Sequence, residues 1–226
     1  QVKVTFPEGS TVKQMAKILD QAAICRQDDY LQLTKQPELF QRSWLSGLEN
    51  LEGYLFPDTY FFPPHADPRQ VIEAQLNRFE EIYPGKLREE DLLEIHQKVI
   101  LASIVEREAQ VKDEKPIVAS VFLNRLKAKM KLESCATVIY AWDQEKGVHL
   151  SSLNLEDLNI QSLYNTYQHD GLPPAPICNP GLESLQAVIN PSQTDYYFFV
   201  RGDNGSHYFA KTYDEHLNNK KKSRIP

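Results

Sequence analysis

The residue best placed to do chemistry in this sequence is Glu106, in Ala102-Ser103-Ile104-Val105-Glu106-Arg107-Glu108-Ala109. The spacing predicts a helix from about Glu89 to Gln110, and between Val99 and Val105 only Ser103 is not apolar, so this helix is expected to be buried nearly all round. At about 100° per residue, Glu106 lies within about 60° of Ile95, Val99, Ala102, Ser103, Ala109 and Gln110. A carboxylate on such a face is costly unless it is paired, protonated or put to use. Desolvation raises a carboxyl pKa, and a raised pKa suits a general acid near neutral pH. The bland alternative is a helix end that simply emerges into solvent. Glu108 cannot complete a glycosidase pair with Glu106 by itself, because residues two apart on a helix face different ways. Arg107 and Glu108 therefore read as structural or surface groups.

Asn124 falls beside Ile117, Ser120, Val121 and Ala128 on the inward side of a second helix. A buried amide needs partners, either a loop backbone or a sugar oxygen. The stretch from Tyr164 to Gly181 combines Tyr164-Asn165-Thr166-Tyr167 with Gly171-Leu172-Pro173-Pro174-Ala175-Pro176. Rings, amides and hydroxyls on a stiff backbone suit a carbohydrate groove, and equally a structural corner. The prolines could also form a polyproline ligand, a weakly specific pattern. His207 and His216 allow a Ser/His/acid triad to be imagined, but no Gly-x-Ser-x-Gly context supports a nucleophile. Walker A and Rossmann glycine patterns are absent, which argues against nucleotide use.

The elements that must hold these residues alternate poorly as βα units. Val2 to Phe6 has strand periodicity, and Ser10 or Thr11 can cap a helix carrying Val12, Met15, Ala16 and Leu19. Pro68 opens a helix to about Tyr83, and Pro116 opens another to about Met130. Thr137-Val138-Ile139-Tyr140 is too short to decide between strand and helix start. Tyr196 to Val200 and His207 to Ala210 flank a glycine-containing turn, a β-hairpin pattern. Helices, then loops, then a hairpin imply an α+β fold: a helical core with a small hairpin or sheet part.

The bulk properties narrow the classes. The 226 residues carry 25 Lys and Arg against 31 Asp and Glu, a net charge of −6, without the clustered basic stripe that nucleic-acid binding needs. The basic run from Lys220 to Arg224 reads as a solvated tail. No apolar stretch approaches the roughly 18 residues of a membrane span, so the chain reads as soluble. Cys25, Cys135 and Cys178 form no CxxC pair and are expected to be small buried residues with at most one disulfide; no metal or cofactor is implied.

Eight segments in fixed order resemble the YceG-like (MltG) family of endolytic murein transglycosylases. They are Leu51-Glu52-Gly53-Tyr54-Leu55-Phe56-Pro57-Asp58-Thr59-Tyr60, the Glu106 segment above, Val118-Ala119-Ser120-Val121-Phe122-Leu123-Asn124-Arg125-Leu126, Thr137-Val138-Ile139-Tyr140, Tyr164-Asn165-Thr166-Tyr167, Gly171-Leu172-Pro173-Pro174, Asn179-Pro180-Gly181 and Tyr197-Phe198-Phe199-Val200. The resemblance implies a bacterial cell-wall lyase that cuts the β-1,4 bond between MurNAc and GlcNAc within peptidoglycan strands and leaves 1,6-anhydro-MurNAc ends. Motif matching puts the family's catalytic Glu on Glu106. It places Glu52, Asn124, Tyr164, Asn165 and Thr166 along the substrate groove.

The resemblance further implies glycan strands as substrate, peptidoglycan synthases as partners, and a single-pass anchor in the inner membrane with the catalytic region on the periplasmic side. That membrane segment is missing from the sequence. Residues 1–48 are expected to be a small module, the remainder of a LysM-like region, with the catalytic domain at residues 49–226. Two departures stand out: around Ser134-Cys135-Ala136 many relatives have Asp-Pro before the Thr-Val pair, so no carboxylate role carries to Cys135, and Ala175 replaces a frequent Gly. The rival functions are a muramidase-like hydrolase pairing Glu106 with Glu52 or Asp58, and a non-catalytic wall-binding module.

Overall fold

The computed structural model describes residues 1–85, 87, 91–203 and 205–223. The fold is α+β, with eight α-helices and two antiparallel strand pairs among the described residues. The chain forms two compact units, residues 1–103 with 175–185, and residues 104–174 with 186–226.

In the first unit, β1 (Val2–Thr5) pairs with β2 (Thr59–Phe62), Val2 opposite Phe62 and Thr5 opposite Thr59. Between them lie α1 (Val12–Gln21) and α2 (Gln27–Thr34), and α3 (Pro68–Ile82) follows. Thr11 caps α1 as the sequence predicts: its hydroxyl accepts from the Gln14 N–H while the Gln14 side chain accepts from the Thr11 N–H. Pro68 takes the first turn of α3 behind the Asp67 cap. Because β1 finds its partner at residues 59–62, the boundary expected at residue 48 falls inside this unit.

The core of the first unit is aromatic. Trp44 stacks on Phe79 at 5.4 Å, and Tyr54 meets Phe79 edge-on at the same separation. Asn179, fully buried, ties three segments together. Its Oδ1 accepts from the N–H groups of Gly53 (2.9 Å) and Leu55 (3.0 Å). Its Nδ2 donates to the Ser10 carbonyl (3.0 Å) and to Glu52 Oε1 (2.9 Å). Gly53 is required at its position: φ is +94°, and a Cβ there would stand 2.5 Å from the Pro176 ring.

Helix α4 (Leu92–Glu108) begins in this unit, and Val99 to Val105 are all buried, as the apolar run requires. The Glu89 start expected from the sequence lies outside the described residues. On its first turns His96 sits 2.7 Å from the Tyr54 hydroxyl, and its Nε2 lies 3.3 Å from the Ser46 carbonyl. With Nε2–H donating to Ser46, Nδ1 is the acceptor for Tyr54. Burial pushes the His96 pKa below its ordinary 6.5, against the smaller opposing effect of the Ser46 bond. A depressed histidine contributes stability that is complete above the unfolded value and is lost as pH falls from about 6.5 toward the folded one. The melting temperature should therefore drop between about pH 7.5 and about pH 5.5, and His96→Gln should make that drop smaller. An equal drop in parent and variant would exclude His96 as a contributor.

The second unit holds the end of α4, then α5 (Lys115–Lys127), α6 (Cys135–Lys146), the hairpin β3 (Phe198–Arg201) and β4 (His207–Ala210), and α8 (Tyr213–Lys222); α7 (Leu182–Ile189) begins in the first unit and ends in the second. The hairpin pairs Phe198 with Ala210 and Arg201 with His207. Thr137 to Tyr140, undecided from sequence, are helical in α6, which Gly147 closes in the left-handed conformation at φ +66°. Val138, Ala141 and Ile160 form a small core on which Trp142, Leu153, Leu158, Tyr164 and Tyr167 pack. All three cysteines are free thiols; Cys178 is buried, Cys25 half-buried and Cys135 exposed, so the expectation of burial holds for one of them.

Candidate active site

Glu106 stands in the last turn of α4 with its side chain only 9% exposed. Lys115, the first residue of α5, is 7% exposed along its side chain, and its Nζ donates to both Glu106 oxygens at 3.1 Å. The sequence alternatives were a solvated helix end or a carboxylate with a purpose. The side chain is withdrawn from water and ion-paired, an arrangement that lets a lone carboxyl persist on an otherwise apolar helix.

Glu108 turns to a different element, as its two-residue offset dictates. Its Oε1 accepts from the Ser134 hydroxyl at 2.5 Å and from the Ala136 N–H at 3.2 Å, serving the N-terminus of α6 that Ser134 itself leaves uncapped. Thr166 joins the same corner: its Oγ1 accepts from the Ser134 N–H (3.0 Å) and lies 2.9 Å from the Thr137 hydroxyl, while its carbonyl accepts from the Glu133 N–H at 3.1 Å. The two acids at the end of α4 thus anchor separate helices.

The remaining residues expected in a groove are placed as follows. Asn165 is fully buried; its Nδ2 donates to the carbonyls of Leu158 and Ile160, both at 2.9 Å, and its Oδ1 accepts from the Tyr167 N–H at 3.0 Å. Tyr164, half-buried, meets Tyr140 edge-on at 4.9 Å. Asn124 donates to the carbonyls of Thr194 (2.8 Å) and Tyr196 (2.9 Å), so its amide satisfies a loop backbone. It borders an open cavity of about 470 Å³ that is also lined by Ser120, Leu123, Pro191, Thr194 and Asp195. Glu52 lies in the first unit, buried, with both oxygens accepting from the Val12 N–H at 3.1 Å at the start of α1. The structure therefore brings Thr166 into the Glu108 corner and sets Tyr164 and Asn165 about the α6 core. A larger cavity in the first unit, about 710 Å³, lies among Arg42, Arg69, Glu73 and Glu80, where Arg42 pairs with Glu73 at 2.9 Å.

Three buried polar residues were missed as site or scaffold groups by reasoning from sequence. Lys115 carried a signal: a cation in a helix's first turn, beside Pro116, opposes the helix dipole and needs a reason. Arg125 donates from Nε to the Tyr197 carbonyl (2.6 Å) and from Nη1 to the Lys131 carbonyl (2.9 Å) and Glu133 (3.0 Å), fastening α5 to β3 and the following loop. Asn179 was visible only as part of an Asn-Pro-Gly motif. No cluster of three His, Cys, Asp or Glu side chains able to hold a metal ion occurs among the described residues.

The sequence profile of the YceG-like family matches residues 1–222, and the chain belongs to that family. It is 35% identical over 237 aligned residues to an endolytic murein transglycosylase of Bacillus subtilis, covering 97% of this chain and 64% of that protein. It is 28% identical to an endolytic murein transglycosylase of Streptococcus pneumoniae, covering 96% of this chain and 43% of that one. The chain thus spans less than two thirds of the length of these relatives. A yceG-like protein of Listeria monocytogenes, solved by crystallography, superposes with a TM-score of 0.82 at 33% identity, covering 96% of this chain and 76% of that one.

Proposed function

We propose that this chain carries the catalytic region of an endolytic murein transglycosylase, with Glu106 as acid and then base. The observation that carries the reading is the Glu106 carboxyl itself, nearly excluded from water and held by Lys115, at the position where the motif resemblance implies the catalytic Glu. Relatives named for this activity align over almost the whole chain, which supports the substrate class.

In the reaction, protonated Glu106 gives its proton to the glycosidic oxygen as the bond from MurNAc C1 breaks. The carboxylate left behind takes the proton of the C6 hydroxyl, whose oxygen bonds to C1 within the same sugar. Glu106 ends as it began, and the products are a free GlcNAc hydroxyl and a 1,6-anhydro end. An internal nucleophile is already at high effective concentration, so no second carboxylate is required to activate water. The partners considered for a two-carboxylate hydrolase are committed elsewhere: Glu52 to α1 and Asn179, and Asp58 to Arg78 at 2.7 Å.

Asn124, Tyr164, Asn165 and Thr166 enter this reading as supports that shape the groove, and Glu52 as a support of the first unit. The LysM-like reading of residues 1–48 belongs to this proposal as well. Inner-membrane anchoring with a periplasmic active region, and work beside peptidoglycan synthases, belong to the same proposal; no helix among the described residues is long and apolar enough to cross a membrane.

The test is mass spectrometry of fragments released from purified sacculi. A transglycosylase leaves anhydro ends, one water lighter than the reducing ends of a hydrolase. Reducing ends would overturn the reaction type, and no fragments at all would favour a wall-binding module.

A further inference from the structure

The pairing of Glu106 with Lys115 sets two helix ends against ordinary helix electrostatics. An acid in the last turn of α4 meets the negative end of that helix, and a cation at the first position of α5 meets the positive end of the next. The first turn of α5 carries no acidic residue to soften the second conflict. Each placement is unfavourable alone, and together the two charges offset one another. Lysine is also among the residues least often buried, yet here its whole side chain is withdrawn from solvent.

The backbone that presents Lys115 is fixed from several sides. Glu114, immediately before it, accepts from the His207 N–H with both oxygens (3.0 and 3.1 Å) and lies 2.7 Å from His207 Nδ1. Arg201, on the other strand of the hairpin, donates to Gln110 Oε1 at 2.7 Å. Pro116 follows at the second helical position, and its carbonyl accepts from the Ser192 N–H at 3.1 Å. The hairpin thus holds both ends of the connection between α4 and α5, and that connection delivers an ammonium to the Glu106 carboxyl.

We propose that Lys115 is the positioning residue of the reaction: its ammonium fixes the plane of the Glu106 carboxyl and stabilises the carboxylate that forms when the proton has gone to the glycosidic oxygen. This rests on the acid/base reading of Glu106. A glutamate side chain has three rotatable bonds, and a catalytic group must stay within about 0.5 Å of its productive position. Two equal contacts from a buried ammonium hold the carboxyl in one plane. The same contacts leave the base aimed for the second step.

Kinetics on soluble uncrosslinked glycan strands test this with Lys115→Met, Lys115→Arg and Glu106→Gln side by side. Lys115→Met should lose about 10- to 100-fold in kcat with KM within about threefold, because the lost interaction belongs to the reacting state. Lys115→Arg, which keeps the charge, should stay within about tenfold of the parent. If Lys115→Met does not fold, Lys115→Gln takes its place with the same expectation. A folded neutral variant at the parent kcat, with Glu106→Gln inactive, overturns the role of Lys115 and leaves the reading of Glu106 standing. An arginine variant as impaired as the neutral one also overturns it, since shape rather than charge would then be at issue. Cleavage by Glu106→Gln at the parent rate overturns the acid/base reading and this inference with it.

Discussion

Replacing Glu106 by Gln should lower glycan cleavage by about a thousandfold while the chain still folds and still binds sacculi. Gln keeps the shape and can still accept from the Lys115 ammonium, but it has no proton to give to a leaving oxygen and cannot take one from a hydroxyl. One side chain is asked to perform both transfers, so its loss removes general acid and general base catalysis together. The comparison is between release of soluble fragments, followed by chromatography, and the melting curve of the same preparations. The uncharged amide leaves the buried Lys115 ammonium without its counter-charge, so a melting shift of up to about 10 °C accompanies the loss of activity; collapse of the fold is not expected. A variant that cleaves at the parent rate would remove Glu106 from the chemistry.

The second large effect is on stability. Asn179→Ala should destabilise the chain by about 3 to 4 kcal/mol, because it deletes the partners of two buried N–H groups and one buried carbonyl and removes a donor from a buried carboxylate. For a chain of this size that is a melting shift of about 10 °C. The loss should be read by thermal or urea unfolding followed by circular dichroism. Asn179→Asp should not restore stability, since a second carboxylate would face Glu52 without a proton to donate. A loss below about 1 kcal/mol for the alanine variant would mean that water replaces the amide and that the three segments are not held by it.

Much of the scaffold was legible because local signals agreed. The run from Val99 to Val105, the prolines at 68 and 116, Thr11 before an amphipathic stretch and the paired runs around Gly205 each specify an element on their own. What stayed hidden is non-local. Nothing near residue 48 reveals that β1 pairs with residues 59–62. Thr137 to Tyr140 carry β-branched and aromatic residues that suit a strand, yet Glu108 capping from another helix and Gly147 closing the far end favour the helix.

The burial of Glu106 was legible to the same degree. An apolar wheel around one acid singled out Glu106, and the spacing argument separated it from Glu108. The roles of Asn165, Thr166 and Asn124 were not legible, because amides and hydroxyls suit sugars and backbones equally well. Their side chains hydrogen-bond inside the protein. Lys115 went unnoticed because a lysine nine residues from a glutamate, across a break between helices, gives no periodic signal, and its place in a helix's first turn is the one sign it carries.

The core of the account is that one carboxyl group and the substrate's own hydroxyl suffice. Digesting purified glycan strands in water enriched in the heavy oxygen isotope tests this most directly. If the attacking oxygen is internal, the new MurNAc ends carry no label and read as anhydro sugars. Heavy oxygen at C1 of those ends would show that water attacked, and would contradict the account.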